Sequence, residues 1–372
     1  MPSAKAAGWL RLAMTRGIGS MLGRKLVRAV GGVELLWQQT TAELKAVEGI
    51  GSQLLSALGQ SRADAADAVL STCRDLDIAL LCPDDPAWPA SLLNLDDAPL
   101  ILFCRGDVAS LHASRRLAIV GARRASRESS VITRRWSHYL SDRQICIVSG
   151  MAYGIDAAAH GGALEGDSPT VAVLGCGLGS ITEQQQRQVE AIAAQGCVIS
   201  EFLPSVTARP EFFPRRNRII AGISHATLVM EADVRSGSLI TARQTIEYGR
   251  EVFAVPGSVL GGNHGGCHLL IREGAMLAET ADDVLQSLGW LAASGASPSL
   301  LPGYCPADAD EAALLQALAT ESMHLDHLAE SCGLTVPELS PIVLRLELQG
   351  MIERLPGSRY LLACDISDSS TK

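Results

Sequence analysis

Arginines, serines and glycines stand where several short apolar runs of this sequence end. Arg123 comes three residues after the apolar run 117–120, and a second arginine-rich group lies at residues 209–218. Arg235 directly precedes the Ser-Gly-Ser at 236–238, which opens a helix-length segment. Guanidinium groups donate paired hydrogen bonds to phosphate oxygens, and the free N–H groups at a helix start favour an anion. These residue types predict a site for a phosphorylated ligand.

The elements that position these residues follow from the apolar pattern. Apolar runs of strand length lie at residues 117–120, 145–148, 171–174, 197–199, 226–230 and 252–255. Helix-length segments such as 129–142, 183–195 and 238–248 lie between them. Strands that are apolar on both faces and separated by helices are typical of a buried parallel sheet. The sequence therefore predicts a doubly wound α/β domain.

Ligands bind at the carboxyl ends of the strands in such sheets, so the residues after each run are the candidate site. The backbone glycines, hydroxyls, amide and guanidiniums there suit a phosphate chain. The candidate DNA-binding residues are Gly121, Arg123, Ser149, Gly150, Phe213, Arg215, Arg216, Asn217, Arg218, Arg235, Ser236, Gly237 and Ser238.

Local details of this site are also predicted. We expect Arg216 and Arg218 to flank Asn217 in a loop opened by Pro214. Bases can stack on aromatic rings, which contributes about 1–3 kcal/mol per base. The available rings are Tyr153, Phe212 and Phe213.

Two structural alternatives compete with this interpretation. The arginines can instead form surface ion pairs, which usually contribute less than about 1 kcal/mol. Their candidate partners are Glu201, Glu211, Glu231 and Asp233. Asp156 and His160, one helical turn apart, have a spacing that could hold a metal, but no third ligand is evident nearby. We therefore expect helix capping or core hydrogen bonding there, and no metal.

Charge is distributed unevenly along the 372 residues. The formal net charge is −9, yet residues 1–60 carry seven basic and three acidic groups. The same 60 residues repeat Gly-Ile-Gly at 17–19 and 49–51. Such loops either hold a nucleic-acid backbone at helix starts, as helix-hairpin-helix modules do, or only connect and cap packed helices. Both interpretations stay open.

The last 65 or so residues have a winged-helix pattern. Three helices are predicted at about 309–320, 324–332 and 335–350, followed by strands at 351–355 and 358–362. Residues 291–372 carry four basic and eleven acidic groups, whereas a DNA-reading helix needs basic or amide side chains. We therefore interpret this domain as a protein-contact module or a vestigial DNA reader.

Cysteine spacing and hydropathy bear on the compartment. The 10 cysteines are never closer than Cys73 and Cys82, so the chain has no C-x-x-C pair. We find no signal-peptide pattern and no apolar run long enough for a membrane span. The expectation is a soluble cytoplasmic protein without membrane insertion.

Five motifs in fixed order carry a family resemblance. They are AIVGAR at 118–123, SGMAYGIDAAAH at 149–160, FPRRNRIIAG at 213–222, SGSLITA at 236–242 and GREVFAVPG at 249–257. From about residue 80 to 280 the chain resembles the DNA-processing protein A family, also called DprA or Smf. It departs from the family at 179–186, where a polar stretch replaces the usual aspartate and Tyr-Pro.

The resemblance implies a function and an architecture. It implies a protein that binds single-stranded DNA without sequence preference, protects it, and loads the RecA recombinase onto it during natural transformation. It implies no enzymatic activity, no cofactor, and a homodimer. The implied fold is an extended Rossmann-like parallel sheet with a small all-α N-terminal domain and a C-terminal winged-helix domain.

The corresponding boundaries are a helical domain (helix-hairpin-helix or SAM-like) at 1–80, an extended Rossmann DNA-binding domain at 81–290, a linker at 291–306 and a winged-helix domain at 307–364.

Other functions on the same fold remain as alternatives. A nucleotide-binding or phosphoribohydrolase-type enzyme would need a carboxylate where this chain has Arg243. A dinucleotide dehydrogenase would need a G-x-G-x-x-G fingerprint, whereas Gly121 is followed by Ala-Arg. A pure scaffold would bind no nucleic acid and would show no salt-dependent retention on single-stranded DNA.

Overall fold

A computed structural model describes residues 4–291, 308–318, 322–349, 351–355 and 357–362. The chain divides into two compact units between Val284 and Leu285. Apart from Leu291, the predicted linker at 291–306 lies outside the described residues. The other predicted domain boundaries stay predictions.

A nine-stranded sheet forms the centre of the first unit. Its strands are β1 (Ala79–Leu81), β2 (Leu102–Gly106), β3 (Arg116–Val120), β4 (Cys146–Ser149), β5 (Thr170–Val173), β6 (Cys197–Ser200), β7 (Ala226–Val229), β8 (Glu251–Ala254) and β9 (Met276–Leu277). The spatial order is β1-β2-β6-β5-β4-β3-β7-β8-β9. Strands β3 to β9 pair in parallel, whereas β2 pairs antiparallel with both β1 and β6.

This arrangement confirms the predicted doubly wound α/β fold. Each of the six predicted runs forms a strand, and β3 to β7 are buried along their whole length. In the central register Leu117 of β3 lies between Ile147 of β4 and Ala226 of β7. The carboxyl ends of these three strands therefore meet at one edge of the sheet.

Helices surround the sheet and precede it. Those before the sheet are α1 (Ala4–Met14), α2 (Ser20–Val30), α3 (Val33–Leu36), α4 (Thr41–Lys45), α5 (Ser52–Gly59) and α6 (Ala63–Asp75). Those between and after the strands are α7 (Arg127–Ser141), α8 (Ile155–Ala163), α9 (Glu183–Gln195), α10 (Phe212–Ile223), α11 (Ser238–Glu247), α12 (Gly265–Arg272) and α13 (Ala281–Ser287). The N-terminal helices share one hydrophobic cluster with α9 and with strands of the sheet.

The Gly-Ile-Gly repeat forms two equivalent loops. Gly17 and Gly49 have φ of +83° and +95°, a conformation that favours glycine, and the isoleucine of each repeat is buried. The last glycine of each repeat is the N-cap of the following helix, α2 or α5. The loops therefore connect and cap packed helices; nucleic-acid contact at them stays a prediction.

The structure corrects one local prediction. Residues 212–223 are helical, so Arg216 and Arg218 do not lie in a loop. Pro214 is in the first turn of α10, where a missing N–H costs no intrahelical hydrogen bond. Arg216 and Asn217 are therefore held at fixed angles on a helix.

The second unit has the predicted winged-helix fold. Its elements are α14 (Ala309–Leu318), β10 (Met323–His324), α15 (Leu325–Cys332), α16 (Val336–Leu348), β11 (Ile352–Leu355) and β12 (Arg359–Leu362), with the strands in the order β10-β12-β11. The basic residue of α16, Arg345, forms an ion pair of 2.8 Å with buried Glu311 of α14. Helix α16 therefore presents no free cation for DNA reading.

His160 of α8 is a core residue. It is fully buried, and its Nδ1 lies 2.9 Å from the hydroxyl of Thr170. That hydroxyl donates its proton to the Ile147 carbonyl, so Nδ1–H donates to Thr170 and the ring is neutral. Burial lowers the pKa of His160 from 6.5 to about 3. Among the described residues no group of three or more metal-ligating side chains occurs.

The buried imidazole predicts a pH dependence of stability. The unfolded chain takes up a proton near pH 6.5, whereas folded His160 does so only near pH 3. The free energy of unfolding should therefore fall by up to about 1.4 kcal/mol per pH unit below pH 6.5, and this contribution should level off near pH 3. Urea unfolding between pH 7 and 4 measures it. His160→Gln should reduce this slope; a slope equal to that of the unsubstituted chain would contradict the assignment.

Candidate nucleic-acid interface

A cavity of about 540 Å³ opens at the carboxyl edge of β3 and β7. We call it the edge pocket. Its walls are the segments that follow these strands and the first turns of α10 and α11. The lining residues used below are Gly121, Arg123, Arg124, Asp156, Phe213, Arg216, Asn217, Glu231, Asp233, Ser236, Gly237 and Ser238. Eight of the thirteen predicted site residues are among them.

Arg123 and Phe213 form the rim of the edge pocket. The Arg123 guanidinium carbon lies 4.7 Å from the centre of the Phe213 ring, in a cation–π contact. Arg123 and its neighbour Arg124 are exposed. In the described ranges neither side chain forms an ion pair with a carboxylate. Arg123 is therefore positioned by a ring that leaves its hydrogen-bond donors available.

Arg216 forms the floor of the edge pocket. Its side chain is 3% exposed, and Nη1 donates to the carbonyl of Val173 at the end of β5. A Cβ at residue 150 would overlap the guanidinium, so only glycine fits beneath it. Gly150 therefore serves the pocket by making room for Arg216, and it is itself buried.

A buried carboxylate balances the charge of Arg216. Asp156 of α8 accepts the N–H groups of Gly150 at 3.1 Å and Ala152 at 3.3 Å. Burial raises the pKa of Asp156, and the charge of Arg216 opposes that rise. Burial likewise lowers the pKa of Arg216 to about 10, with Asp156 opposing. The guanidinium is therefore still charged at neutral pH.

One donor of Arg216 is unused. Its Nε is buried and has no hydrogen-bond partner in the part of the chain that the structure describes. An unpaired buried donor costs about 1–3 kcal/mol. The floor of the pocket thus holds a charged guanidinium whose hydrogen bonding is incomplete.

The start of α11 supplies the opposite wall. Gly237 is the N-cap, and the hydroxyls of Ser236 and Ser238 lie 2.7 Å apart. The amide of Asn217 on α10 donates to the Gly237 carbonyl at 3.4 Å, which ties the two helix starts together. The N–H of Ser238 donates to the Ser236 hydroxyl at 3.4 Å, and the next two N–H groups of α11 donate to the carbonyls of Ser236 and Gly237. What this helix start offers an anion is therefore the positive end of its dipole.

Ser149 lies outside the pocket. It is fully buried, and its hydroxyl donates to the Ile119 carbonyl at 2.6 Å. The side chain holds β4 against β3 beneath the edge, and a contact of Ser149 with DNA stays a prediction.

Two predicted arginines have a structural role instead. Glu201, directly after β6 and buried, accepts Arg215 at 2.9 Å and Arg218 at 2.5 Å. Arg218 is 8% exposed and also donates to the Asp97 carbonyl. Arg218 is thus unavailable to DNA, and Arg215 is half-exposed but paired. For this pair the ion-pair alternative is correct.

The remaining predicted residues lie at the margin. Arg235 is exposed but does not line the pocket; its N–H donates to Asp233 at 2.6 Å. Tyr153 is 67% exposed and its hydroxyl donates to Gln184. Phe212 packs on Phe202 with ring centres 4.4 Å apart, outside the lining.

Sequence reasoning missed some lining residues, chiefly Arg124, Thr241 and Asn263. Arg124 was marked by its position beside Arg123, whereas nothing near Asn263 in the sequence indicates a site. Arg243, which stands where a related enzyme family has its carboxylate, is exposed on α11 and does not line the pocket.

Comparisons with known proteins agree with this geometry. Residues 79–289 match the family described as DNA recombination-mediator protein A, and residues 297–358 match the DprA winged helix domain. The chain is 33% identical to Protein Smf of Synechocystis sp., over 97% of this chain and 99% of that protein. It is 38% identical to Protein Smf of Escherichia coli, over 77% of this chain and 79% of that protein.

Solved structures extend the likeness. DNA processing protein A of Streptococcus pneumoniae superposes with a TM-score of 0.67 at 31% identity, covering 77% of this chain and 98% of that one. The DNA processing protein A of Helicobacter pylori, whose structure was described for its single-stranded DNA binding mode, gives 0.51 at 27% identity, covering 57% and 95%. From the match over residues 79–289 and from relatives aligned along most of their length, the chain belongs to the DNA recombination-mediator protein A family of DNA-processing proteins.

Proposed function

We propose that this protein binds single-stranded DNA without sequence preference, and that the edge pocket holds its phosphate chain. The observation that carries the proposal is the charged guanidinium of Arg216 at the pocket floor. Arg123 at the rim and the start of α11 face the same space. These groups recognise phosphate and distinguish no base, so affinity should not depend on sequence.

The pocket suits single strands better than duplexes. It is a concave site with an aromatic ring, Phe213, at its rim, and a base can stack on an aromatic ring only when it is unpaired. The DprA of Helicobacter pylori, described as binding single-stranded DNA, supports the same assignment by its relatedness.

The cellular role is proposed from the family. We infer that the protein protects incoming single-stranded DNA and loads RecA onto it during natural transformation, that it acts in the cytoplasm as a homodimer, and that it catalyses no reaction. No helix of the described residues is long and apolar enough to cross a membrane.

A titration with labelled oligothymidine at several salt concentrations tests the binding. The logarithm of the association constant should fall linearly with the logarithm of salt concentration, by about 0.7 for each phosphate neutralised. Single strands of any sequence should compete, duplex DNA less, and nucleoside monophosphates only at far higher concentration. Tight binding of a monophosphate without the oligonucleotide would favour the nucleotide-enzyme alternative.

Substitution of Arg123 should weaken binding without unfolding the protein. Arg123→Ala removes an exposed guanidinium, so we expect oligothymidine affinity to fall about five- to tenfold, with a shallower salt dependence. The melting temperature should stay within about 2 °C, because exposed ion pairs and cation–π contacts contribute little. Arg243→Ala, an equal change of charge outside the pocket, is the matched control. Equal affinity losses in the two variants would contradict the site.

Substitution of Arg216 should weaken both binding and stability. Arg216→Ala leaves Asp156 buried without its compensating charge, at a cost of about 3 kcal/mol. Arg216→Ala with Asp156→Asn should recover much of that stability and none of the DNA affinity. Urea unfolding and the same titration separate the two effects; recovery of affinity by the double variant would show that Arg216 acts only on folding.

A further inference from the structure

Glu231 holds both ends of a short segment at the edge pocket. It lies two residues after the end of β7, is 1% exposed and lines the pocket. Its carboxylate oxygens accept the N–H of Ser126 at 3.0 and 3.2 Å and the hydroxyl of Ser126 at 2.7 Å. Its main-chain carbonyl accepts the N–H of Ala122 at 2.7 Å. One buried residue thus fixes residues 122 and 126.

The segment between these points carries the exposed arginines of the pocket, Arg123 and Arg124. Ser126 is also the N-cap of α7: its oxygen accepts the Ser129 N–H at 3.1 Å while its proton goes to Glu231. The same hydroxyl therefore joins the carboxylate to a fifteen-residue helix. The main chain of Glu231 holds one end of the segment at Ala122. The side chain of Glu231 and the start of α7 hold the other end at Ser126.

Glu231 forms no ion pair with the arginines of the pocket. In the described ranges it forms no ion pair with an arginine or lysine, and its charge is met by N–H and O–H donors at the start of α7. The sequence left open an ion pair between Glu231 and an arginine, and the described residues show none. Arg123 is left to contact Phe213.

We propose that Glu231 is a positioning residue that orients Arg123 and Arg124 toward the DNA backbone. The proposal rests on the proposed function. The direction of the change in DNA affinity distinguishes this role from a simple charge effect. A carboxylate in a phosphate-binding pocket repels the ligand, so its removal would strengthen binding if charge alone mattered. If Glu231 acts through the two arginines, its removal weakens binding.

Asp233 provides the matched control. It lines the same pocket two residues later and is exposed, and its side chain accepts only the Arg235 N–H among the described residues. Asp233→Ala makes the same change of charge as Glu231→Ala without releasing the segment.

The experiment measures oligothymidine affinity of the full chain at several salt concentrations. Glu231→Ala should weaken binding about tenfold and reduce the salt dependence, whereas Asp233→Ala should strengthen it. Glu231→Gln, which keeps an acceptor oxygen, should recover most of the loss. In a chain that also carries Arg123→Ala and Arg124→Ala, Glu231→Ala should no longer weaken binding and should strengthen it as Asp233→Ala does.

Hydrogen exchange without DNA gives a second, independent measurement. Amides of residues 122–130 should exchange faster in Glu231→Ala and in Ser126→Ala than in the unsubstituted chain, whatever the DNA affinity; if Glu231→Ala does not fold, Ser126→Ala and Glu231→Gln carry both measurements. Three results would each overturn the proposal. Glu231→Ala could bind as tightly as Asp233→Ala, its loss of affinity could persist in the chain without the two arginines, or hydrogen exchange could be unchanged. If the unsubstituted chain binds no oligothymidine, the proposed function fails and the positioning of a DNA contact fails with it, while faster exchange would still show that Glu231 holds the segment.

Discussion

The seating of the Arg216 guanidinium on the backbone of Gly150 is the constraint on which the rest of the site depends. A charged group can be kept inside a protein only if its surroundings replace the water it loses. Here the Val173 carbonyl accepts from it, Asp156 supplies the opposite charge, and the missing side chain at residue 150 supplies the space. These groups come from β5, α8, α10 and the residue that follows β4, so all four elements must be correctly placed for the contact to form. The pocket floor therefore depends on the packing of the parallel sheet and its helices.

The arginines of the motif FPRRNRIIAG divide into two roles. Arg215 and Arg218 converge on Glu201, whereas Arg216 lines the pocket. The helical geometry of α10 explains the division, since successive side chains turn by about 100° and neighbours cannot share a direction. The pocket lining holds three arginines and three carboxylates, so its formal charge is zero. Its cations differ from those at Glu201 in their partners, which are a ring for Arg123 and a main-chain carbonyl for Arg216.

Much of the fold could be predicted from the sequence, and less of the site. Apolar runs in the sequence predicted strands β3 to β8, and α11 begins at the predicted Ser238. Strands β1 and β2 also lie in apolar runs, 78–82 and 100–104, to which the sequence analysis assigned no strand. Their antiparallel place in the sheet could not be predicted locally, because β2 pairs with β6 across more than 90 positions. Whether Arg218 faces solvent or Glu201 is decided by tertiary contacts. The pocket role of Glu231 likewise depends on Ser126, 105 positions away.

The lengths of the outermost strands affect how readily this protein aggregates through the borders of its sheet. Strand β1 at one border has three residues and β9 at the other has two. A foreign chain seeking to extend the sheet finds only a few unpaired main-chain groups at either border, which is too little for lasting strand addition. Copies of the chain therefore have little tendency to form cross-β aggregates through these borders.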